Sequence, residues 1–313
     1  MASSFSEGSE SGYPIGSLTR NPSAPRTLLS TVMTGVAIAC GVIALVPLIA
    51  VLSYVIIQGF SSLRPSIFFE LPPIPSSLPS APRGGFGNAI IGTMLMVGLG
   101  TLISVPIGVL AAIYLTEFST GKFAQWIRFA TNVLSGIPSI IAGVFAYGFA
   151  VASPWFGFLF TGKFQPLGYS AIAGGVALAI LMLPIIIRTT DESLQLVSDD
   201  LRQAAVGIGA TNYQTVMSVV VPTALPAIVT GVTLAVARAS GETAPLIFTA
   251  LFSTFWARDI TQPTASLAVL VYNFATTTFE NQKSLAWAAS LVLVLMVLIA
   301  SIIARLATNR KTY

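Results

Sequence analysis

Six apolar blocks decide what this chain can fold into, because each holds about 20 residues and is long enough to cross a bilayer as an α-helix. The blocks lie near Leu28–Ile57, Ala89–Leu115, Phe129–Val151, Ser170–Ile187, Ala224–Leu251 and Leu285–Ala307. A bilayer core offers no water to unpaired backbone groups, so segments of this kind fold as helices. The sequence therefore predicts an all-α, polytopic membrane protein with six transmembrane helices.

Composition agrees with this prediction and excludes one class of partner. Hydrophobic residues make up 54% of the 313 residues and charged residues only 8%, far from the balance of a soluble protein. The net charge of +4 is spread along the chain and forms no basic face. We therefore expect membrane lipid around the protein and no nucleic acid among its partners.

The chain also lacks the residues of the common catalytic and metal sites. It has no histidine, and its one cysteine, Cys40, lies inside an apolar block. The carboxylates do not cluster with metal-ligand spacing. The pairs Gly121-Lys122 and Gly162-Lys163 lack the remaining residues of a phosphate-binding P-loop. We expect no enzyme activity, no metal and no cofactor in this chain.

Lysine and arginine in the connecting segments predict the orientation, because they are enriched on the cytoplasmic side of membrane proteins. With a cytoplasmic N-terminus, the inner set is Arg20, Arg26, Lys122, Arg128, Arg188, Arg202, Arg305, Arg310 and Lys311. The smaller outer set is then Arg64, Arg83, Lys163, Arg258 and Lys283. This bias predicts that both termini lie in the cytoplasm.

Local composition divides the chain into four parts. Residues 1–27 are rich in Ser, Gly and Pro and are predicted to be a disordered cytoplasmic tail. Residues 28–87 hold the first transmembrane helix and a proline-rich exterior loop, and residues 88–307 hold the other five helices. Residues 308–313 form a second cytoplasmic tail. After the fifth block, residues 255–283 are the longest exterior connection.

The segment Ser198–Pro222, SDDLRQAAVGIGATNYQTVMSVVVP, is polar and amphipathic but lies between two strongly apolar blocks. Its first residue is placed to cap a short helix that has acidic residues in its first turn. Gly207 and Gly209 predict a turn, and Thr211 with Gln214 has the spacing of a capping box that opens a second helix. We expect a compact helix–turn–helix at the membrane edge, which a protein outside the membrane can grip.

The 198–222 segment resembles the cytoplasmic coupling loop of the bacterial ABC-importer permeases. Those permeases carry an acidic residue, two alanines, a glycine four places on, and later a proline after aliphatic residues. The corresponding positions, with that spacing intact, are Gln203, Ala204, Ala205, Gly209, Val219, Val221 and Pro222. Gln203 stands where Glu is usual, so a salt bridge normally made there has lost its carboxylate.

Four flanking motifs resemble, more narrowly, the phosphate-importer permeases of the PstA type. They are GGFGNAIIGTMLM (Gly84–Met96), SGIPSIIAG (Ser135–Gly143), LPIIIRTTDESL (Leu183–Leu194) and ARASGETAPLIFTAL (Ala237–Leu251). The resemblance runs from Gly84 to the C-terminal region. It implies the type-1, MetI-like permease fold over residues 88–307, in a bacterial inner membrane.

The same resemblance implies the partners of the chain. They are a homologous second permease of the PstC type, two ATP-binding subunits that hold ATP and Mg, and an exterior phosphate-binding protein. ATP binding would move the 198–222 segment, and the two permeases would alternate between outward and inward openings. The expected function is that of the permease subunit of an ATP-driven phosphate importer.

Arg238 and Glu242 stand out because they lie four residues apart in the fifth apolar block, and so on one helix face. Charges inside a membrane are costly and face protein or water. One interpretation is a salt bridge that only neutralises itself. The other is that Arg238 binds an anion in transit, its guanidinium fork matching a tetrahedral oxyanion, with Glu242 as resting partner. PstA-type permeases carry the same pair in this motif. Ser240 and Thr243 offer hydroxyl donors to that anion, or simply allow close helix packing.

Two further positions each leave two interpretations open. Arg188 ends the fourth apolar block, with Asp191 and Glu192 just beyond. It either anchors the helix on the cytoplasmic side or forms an inner gate that meets the exiting anion. Pro138, inside the third block, predicts either a broken helix or a packing kink.

Two rival functions follow from the residues alone. A guanidinium does not distinguish tetrahedral anions, so sulfate and molybdate are alternatives to phosphate. A secondary transporter that works alone is the rival from another class, and such a carrier often has paired, broken helices and needs no docking loop.

Overall fold

The structure is a computed structural model that describes residues 25–76, 84–119 and 121–309. Residues 1–24 and 310–313 of the predicted tails therefore lie outside the described residues, as do residues 77–83 of the predicted proline-rich loop, while residues 25–27 and 308–309 are helical. The α-helices are α1 (Pro25–Ser62), α2 (Gly87–Ile113), α3 (Lys122–Ser135), α4 (Ser139–Ala146), α5 (Pro154–Thr161), α6 (Ala171–Gln195), α7 (Asp199–Gly207), α8 (Asn212–Thr215), α9 (Val221–Ser240), α10 (Ala244–Thr249), α11 (Leu267–Ala275) and α12 (Glu280–Asn309). The described ranges contain no strand, which confirms the all-α prediction.

Short stretches of tighter or wider helix extend several of these elements. A 3₁₀ turn covers Pro65–Phe68, and π-helical turns cover Tyr114–Phe118, Tyr147–Val151 and Val216–Val220. The last of these joins α8 to α9, so the chain is helical without interruption over Asn212–Ser240.

The chain divides inside α1 into two units. In the first, Met1–Tyr54, the described residues form the greater part of α1. The second, Val55–Tyr313, contains the remaining helices.

Within the described ranges, five helical stretches are long and apolar enough to cross a membrane: Leu28–Ser62, Gly87–Phe118, Ala171–Gln195, Asn212–Ser240 and Glu280–Leu306. A sixth span exists only if the bent pair Lys122–Ser135 and Ser139–Val151 is counted as one. Five of the six predicted blocks thus contain a long helix of their own, and the third does not.

The third block is broken rather than kinked. The axes of α3 and α4 differ by 107°, and the break falls at Gly136–Pro138. Pro138 has no backbone N–H to donate into α3, and its ψ of 137° turns the chain out of the helix before α4 begins. The broken-helix interpretation of Pro138 is therefore confirmed, and the helix before the break begins at Lys122 rather than at the predicted Phe129.

The fourth and fifth blocks also differ from their predicted bounds. Helix α6 continues past Ile187 to Gln195, so Arg188 lies inside this helix and does not end it. The fifth block, predicted as one helix over Ala224–Leu251, is two helices, α9 and α10, separated by a break at Gly241–Thr243. The predicted connection over residues 255–283 contains a helix of its own, α11, whose side chains Leu267 and Leu270 are fully buried.

Helices α2 and α6 form the centre of the second unit, and glycines let them approach closely. A Cβ atom on Gly108 would lie 2.8 Å from Cγ2 of Ile186, and one on Gly175 would lie 2.7 Å from Cβ of Leu99. Small residues serve this purpose in membrane helices because packing, rather than water exclusion, holds the helices together.

The N-terminal end of α2 is packed even more tightly against the segment before α11. A Cβ atom on Gly92 would collide with the backbone carbonyl of Ala265 and lie 2.6 Å from Cγ2 of Thr264. Two turns further along, Gly98 has no atom within 4 Å of the same position. The two glycines on one helix therefore differ only in what surrounds them.

We expect Gly92→Ala to lower the free energy of unfolding by about 2 kcal/mol, because a rigid backbone group must move to admit the methyl group. Gly98→Ala, the matched control, should be neutral or stabilising by about 0.5–1 kcal/mol through its better helix propensity. Thermal unfolding of the purified protein in detergent measures both. Equal melting temperatures for the two variants would contradict the close packing of α2 against Ala265.

Candidate functional site

The charged pair of the fifth block lies at the break between α9 and α10. Arg238 occupies the last turn of α9, while Glu242 follows the end of that helix. The Nε atom of Arg238 lies 3.4 Å from Oε1 of Glu242. The predicted pairing is therefore present, but the pair does not sit on one face of an unbroken helix midway along a span.

The two members of the pair differ in exposure. The side chain of Arg238 is 60% exposed and that of Glu242 is 16% exposed. A distance of 3.4 Å is longer than the 2.7–2.9 Å of a strong charge-assisted hydrogen bond. The Nη groups of Arg238 make no hydrogen bond to any residue in the described ranges. The guanidinium is thus held loosely, through one nitrogen, with its outer edge open.

The short helices that follow the two breaks pack against each other. Helix α4, which follows the break at Pro138, packs against α10, which follows the break after Gly241. A Cβ atom on Gly143 would lie only 2.7 Å from Cα of Pro245. The contact therefore joins the short helices that follow the two breaks, while Gly136, Pro138 and Gly241, at the breaks themselves, are exposed.

Ser240 and Thr243 flank the pair in different ways. Ser240 is buried, and its hydroxyl donates to the carbonyl of Val236 at 2.8 Å, so its proton is already in use. It also lines an apolar groove of about 1030 Å³ between α2, α9 and α12. Thr243 is half-buried, directly precedes α10, and caps that helix with no side-chain hydrogen bond.

Arg188 forms a second pair of the same spacing, on α6. Its Nε atom donates to Oε1 of Glu192 at 2.8 Å, and both side chains are more than half exposed. Among the described residues, Arg188 and Arg238 each pair with a carboxylate four positions further along the chain. Neither arginine forms an ion pair with the partner of the other. The structure therefore presents two separate open arginines.

The 198–222 segment folds as predicted in outline. Helix α7 is followed by a turn at Gly209, whose φ of +93° favours glycine, and then by α8. Thr211 and Gln214 form the predicted capping box, with Thr211 N donating to Oε1 of Gln214 at 2.8 Å. Ser198 has the backbone conformation of an N-cap, but its side chain makes no capping hydrogen bond.

The residues that resemble the coupling-loop pattern lie on this segment in two environments. Ala205 is buried, and Val219 and Val221 are partly buried. Exposed on the segment are Gln203, Ala204, Gly209 and Pro222, the last of which lies in the first turn of α9. The exposed set gives the segment a free surface, and the buried set holds it to the bundle.

One contact of this segment escaped sequence analysis. Arg202 of α7 donates through Nη1 to both carboxylate oxygens of Glu117, at 2.8 Å each, and through Nη2 to the carbonyl of Leu194 at 2.8 Å. Gln203 lines the same polar cleft as this pair, and Glu117 is the one carboxylate among the residues described there. The neutral side chain at position 203 adds no second carboxylate to this cleft.

A second ion pair lies at the same end of the bundle. Arg128 of α3 donates to both carboxylate oxygens of Asp191 of α6, at 2.9 and 3.1 Å, and to the carbonyl of Leu115 at 2.9 Å. Thr116 donates to Oδ1 of Asp191 at 2.6 Å. Sequence spacing could not find either pair, because the partners are 63 and 85 residues apart.

The comparisons with known proteins agree with this architecture. A family model described as "Binding-protein-dependent transport system inner membrane component" matches residues 104–313. The chain belongs to this family, and the type-1 ABC permease fold predicted from the sequence is confirmed.

The names of its relatives specify a narrower group within this family. The phosphate transport system permease protein PstA of Haemophilus influenzae is 40% identical over 280 residues, which are 89% of this chain and 93% of that protein. PstA of Yersinia pestis is 37% identical over 267 residues, 85% of each chain.

Solved structures share the fold at low sequence identity. A bacterial alginate ABC transporter in complex with an alginate-bound periplasmic protein has a TM-score of 0.64 at 13% identity, covering 93% of this chain and 99% of that one. The MetNI methionine ABC transporter in an inward-facing conformation has a TM-score of 0.52 at 20% identity, covering 72% and 94%.

We predict opposite effects at two glycines of the 198–222 segment. Gly209→Ala forces a Cβ into a left-handed conformation and should cost about 1–2 kcal/mol of local stability. Gly207 is the last residue of α7 and has open space at its Cβ position, so Gly207→Ala should stabilise α7 by about 0.5–1 kcal/mol.

Hydrogen exchange of the amides of residues 199–215 checks this pair of variants. Faster exchange in Gly209→Ala and slower exchange in Gly207→Ala are expected. The same change in both variants would mean that the turn does not need the backbone conformation of Gly209.

Proposed function

We propose that this chain is the permease subunit of an ATP-driven importer of inorganic phosphate in a bacterial inner membrane. Family membership supports a transport component that depends on a binding protein, and the two PstA relatives are named for phosphate transport. The observation that carries the choice of an anion is an open arginine in an otherwise apolar helix.

The exposure of Arg238 supports a position on the translocation path. A guanidinium inside the membrane is costly where it faces lipid, so an exposed one is expected to face water or protein. In a single chain, 60% of the Arg238 side chain is open. In the membrane, the exposed guanidinium therefore has to contact a second permease or a water-filled path between the two permeases.

The geometry of the pair suits transient binding of an oxyanion. The free Nη edge of Arg238 offers two parallel donors, which match two oxygens of a tetrahedral phosphate. Glu242 compensates the charge when no anion is present, and the 3.4 Å separation means that little bonding is lost when phosphate replaces it. Affinity then stays modest, as release on the other side requires. In this role Ser240 and Thr243 are minor contributors, and Thr243 has the freer hydroxyl.

Arg188 is proposed as a second contact for the anion, nearer the 198–222 segment. Its pair with Glu192 has the same four-residue spacing as the first pair, and the Arg188 side chain is about as exposed as that of Arg238. The shorter distance, 2.8 Å, makes this pair the firmer of the two. An inner gate that opens when phosphate competes with Glu192 is the function that this arrangement supports.

Energy for transport is proposed to come from partners. We propose that two separate ATP-binding subunits bind ATP with Mg and that this chain binds no cofactor. The exposed residues Gln203, Ala204, Gly209 and Pro222, with Ala205 beneath them, form the surface that these subunits would move. A PstC-type second permease completes the path, and an exterior phosphate-binding protein delivers the substrate to the opposite side. With both termini in the cytoplasm, the 198–222 segment faces the ATP-binding subunits.

These findings argue against one of the two rival functions and leave the other as an alternative. A stand-alone secondary transporter is disfavoured by membership of a family of binding-protein-dependent transport components. The paired broken helices expected of such carriers are present here, but they do not by themselves define the class. Sulfate or molybdate stays an alternative substrate, because a guanidinium fork accepts any tetrahedral oxyanion.

We expect Arg238→Lys to reduce uptake of radiolabelled phosphate about tenfold or more in cells that depend on this transporter. Lysine keeps the charge but presents a point donor in place of the planar fork. Competition by excess unlabelled phosphate, sulfate or molybdate in the same assay identifies the substrate.

Arg258→Lys is the matched control, since Arg258 is exposed in the loop after α10 and is not in the proposed path. Uptake by this variant should equal that of the wild type. Unchanged phosphate uptake by Arg238→Lys would remove Arg238 from the path.

A further inference from the structure

Helix α7 makes few apolar contacts with the rest of the bundle. Of its residues only Ala205 is buried, while Leu201 and Val206 are about half exposed. Ile208, just beyond its end, is 88% exposed. Packing alone therefore leaves this helix free to rock without moving the helices beside it.

Arg202 supplies the attachment that packing does not. It makes three hydrogen bonds of 2.8 Å, two to the carboxylate of Glu117 and one to the carbonyl of Leu194. The side chain of Arg202 is 22% exposed and that of Glu117 only 9%. Both bonds to Glu117 leave from one nitrogen, and because the two side chains are largely buried, removal of either partner would leave an uncompensated charge.

The two acceptors belong to the two helices at the centre of the bundle. Glu117 lies in the π turn that continues α2, and Leu194 lies in the last turn of α6, where it is fully buried in an apolar cluster with Val216 and Val220. One side chain on α7 is thus bonded to both helices of the close α2–α6 pair.

The end of α2 is also the point where the second ion pair attaches. Three consecutive residues form hydrogen bonds there. The Leu115 carbonyl accepts from Arg128, and the Thr116 hydroxyl donates to Asp191. The Glu117 carboxylate accepts from Arg202. Displacement of α7 therefore reaches α2, α3 and α6 through one short stretch of chain.

We propose that Arg202 is the positioning residue that ties α7 to the bundle and transmits its movement to α2 and α6. This inference rests on the proposed function, in which α7 receives movement from an ATP-binding subunit. Without the tie, ATP hydrolysis proceeds but α7 moves alone, and the path does not open.

The test uses the complete transporter, reconstituted in vesicles with its ATP-binding subunits, second permease and binding protein. Phosphate uptake and ATP hydrolysis are measured in parallel for Arg202→Glu, Glu117→Arg and the double variant. Each single variant should lower the phosphate moved per ATP hydrolysed by about tenfold or more, because it leaves a buried charge without its partner. The double variant should recover most of this ratio, though not all, since the bond to Leu194 is not restored.

Asp199→Asn is the matched control. Asp199 approaches the same guanidinium at 3.5 Å, but its side chain is 87% exposed, so its loss should leave the ratio unchanged. Arg202→Lys keeps the charge, and with only one nitrogen to bond it should give an intermediate ratio even if the single charge reversals fail to assemble.

The outcomes separate the inference from the function on which it rests. A wild-type complex that moves no phosphate with ATP contradicts the proposed function. A wild-type complex that does so, with Arg202→Lys and Arg202→Glu keeping its ratio of phosphate to ATP, overturns the tie alone. A double variant no better than the single ones also overturns it, because the residues would then be needed only for folding.

Discussion

A membrane interior supplies no water to backbone groups, and this constraint governs the whole structure. Most of the described chain satisfies this constraint by forming long helices, whose backbone groups pair with one another. Where the chain breaks, after Ser135 and after Ser240, the short helices that follow pack on each other at Gly143 and Pro245. The short helices after the two breaks thus support each other, and the charged pair of Arg238 and Glu242 lies beside the second break.

Different forces act at the centre of the bundle and at the end that carries the 198–222 segment. Along α2 and α6, small residues allow close contact, as at Gly108 and Gly175. At the end, contact passes through charged hydrogen bonds, because α7 presents almost no apolar surface to the bundle. Close packing joins α2 to α6, while directional polar bonds connect α7 to both helices. This division suits a protein that has to alternate between two arrangements.

The long helices were predictable because about 20 consecutive apolar residues have no other stable form in a bilayer. The capping box at Thr211 and the turn at Gly209 were equally local and equally predictable. The break at Pro138 was foreseen only as one of two interpretations, because whether a proline breaks or bends a helix depends on the helices around it. The break after Ser240 was missed, since Gly241 and Glu242 also fit a continuous amphipathic face.

The ion pairs of Arg202 with Glu117 and of Arg128 with Asp191 were missed for a different reason: tertiary folding alone brings these residues together. Of the candidate site, the sequence therefore predicted the residues and the local pairing, while the loose geometry of Arg238 and the tie beneath α7 required the structure.

The central claim is that the 198–222 segment faces the cytoplasm, where a separate ATP-binding subunit can move it. Ile208→Cys tests this claim directly, because Ile208 is exposed at the tip of the segment and Cys40→Ser removes the chain's other thiol. The account predicts that a membrane-impermeant maleimide labels this cysteine in inverted membrane vesicles and not in right-side-out vesicles. It also predicts that adding the ATP-binding subunit to stripped inverted vesicles blocks the labelling. Labelling from the outer face would contradict the account.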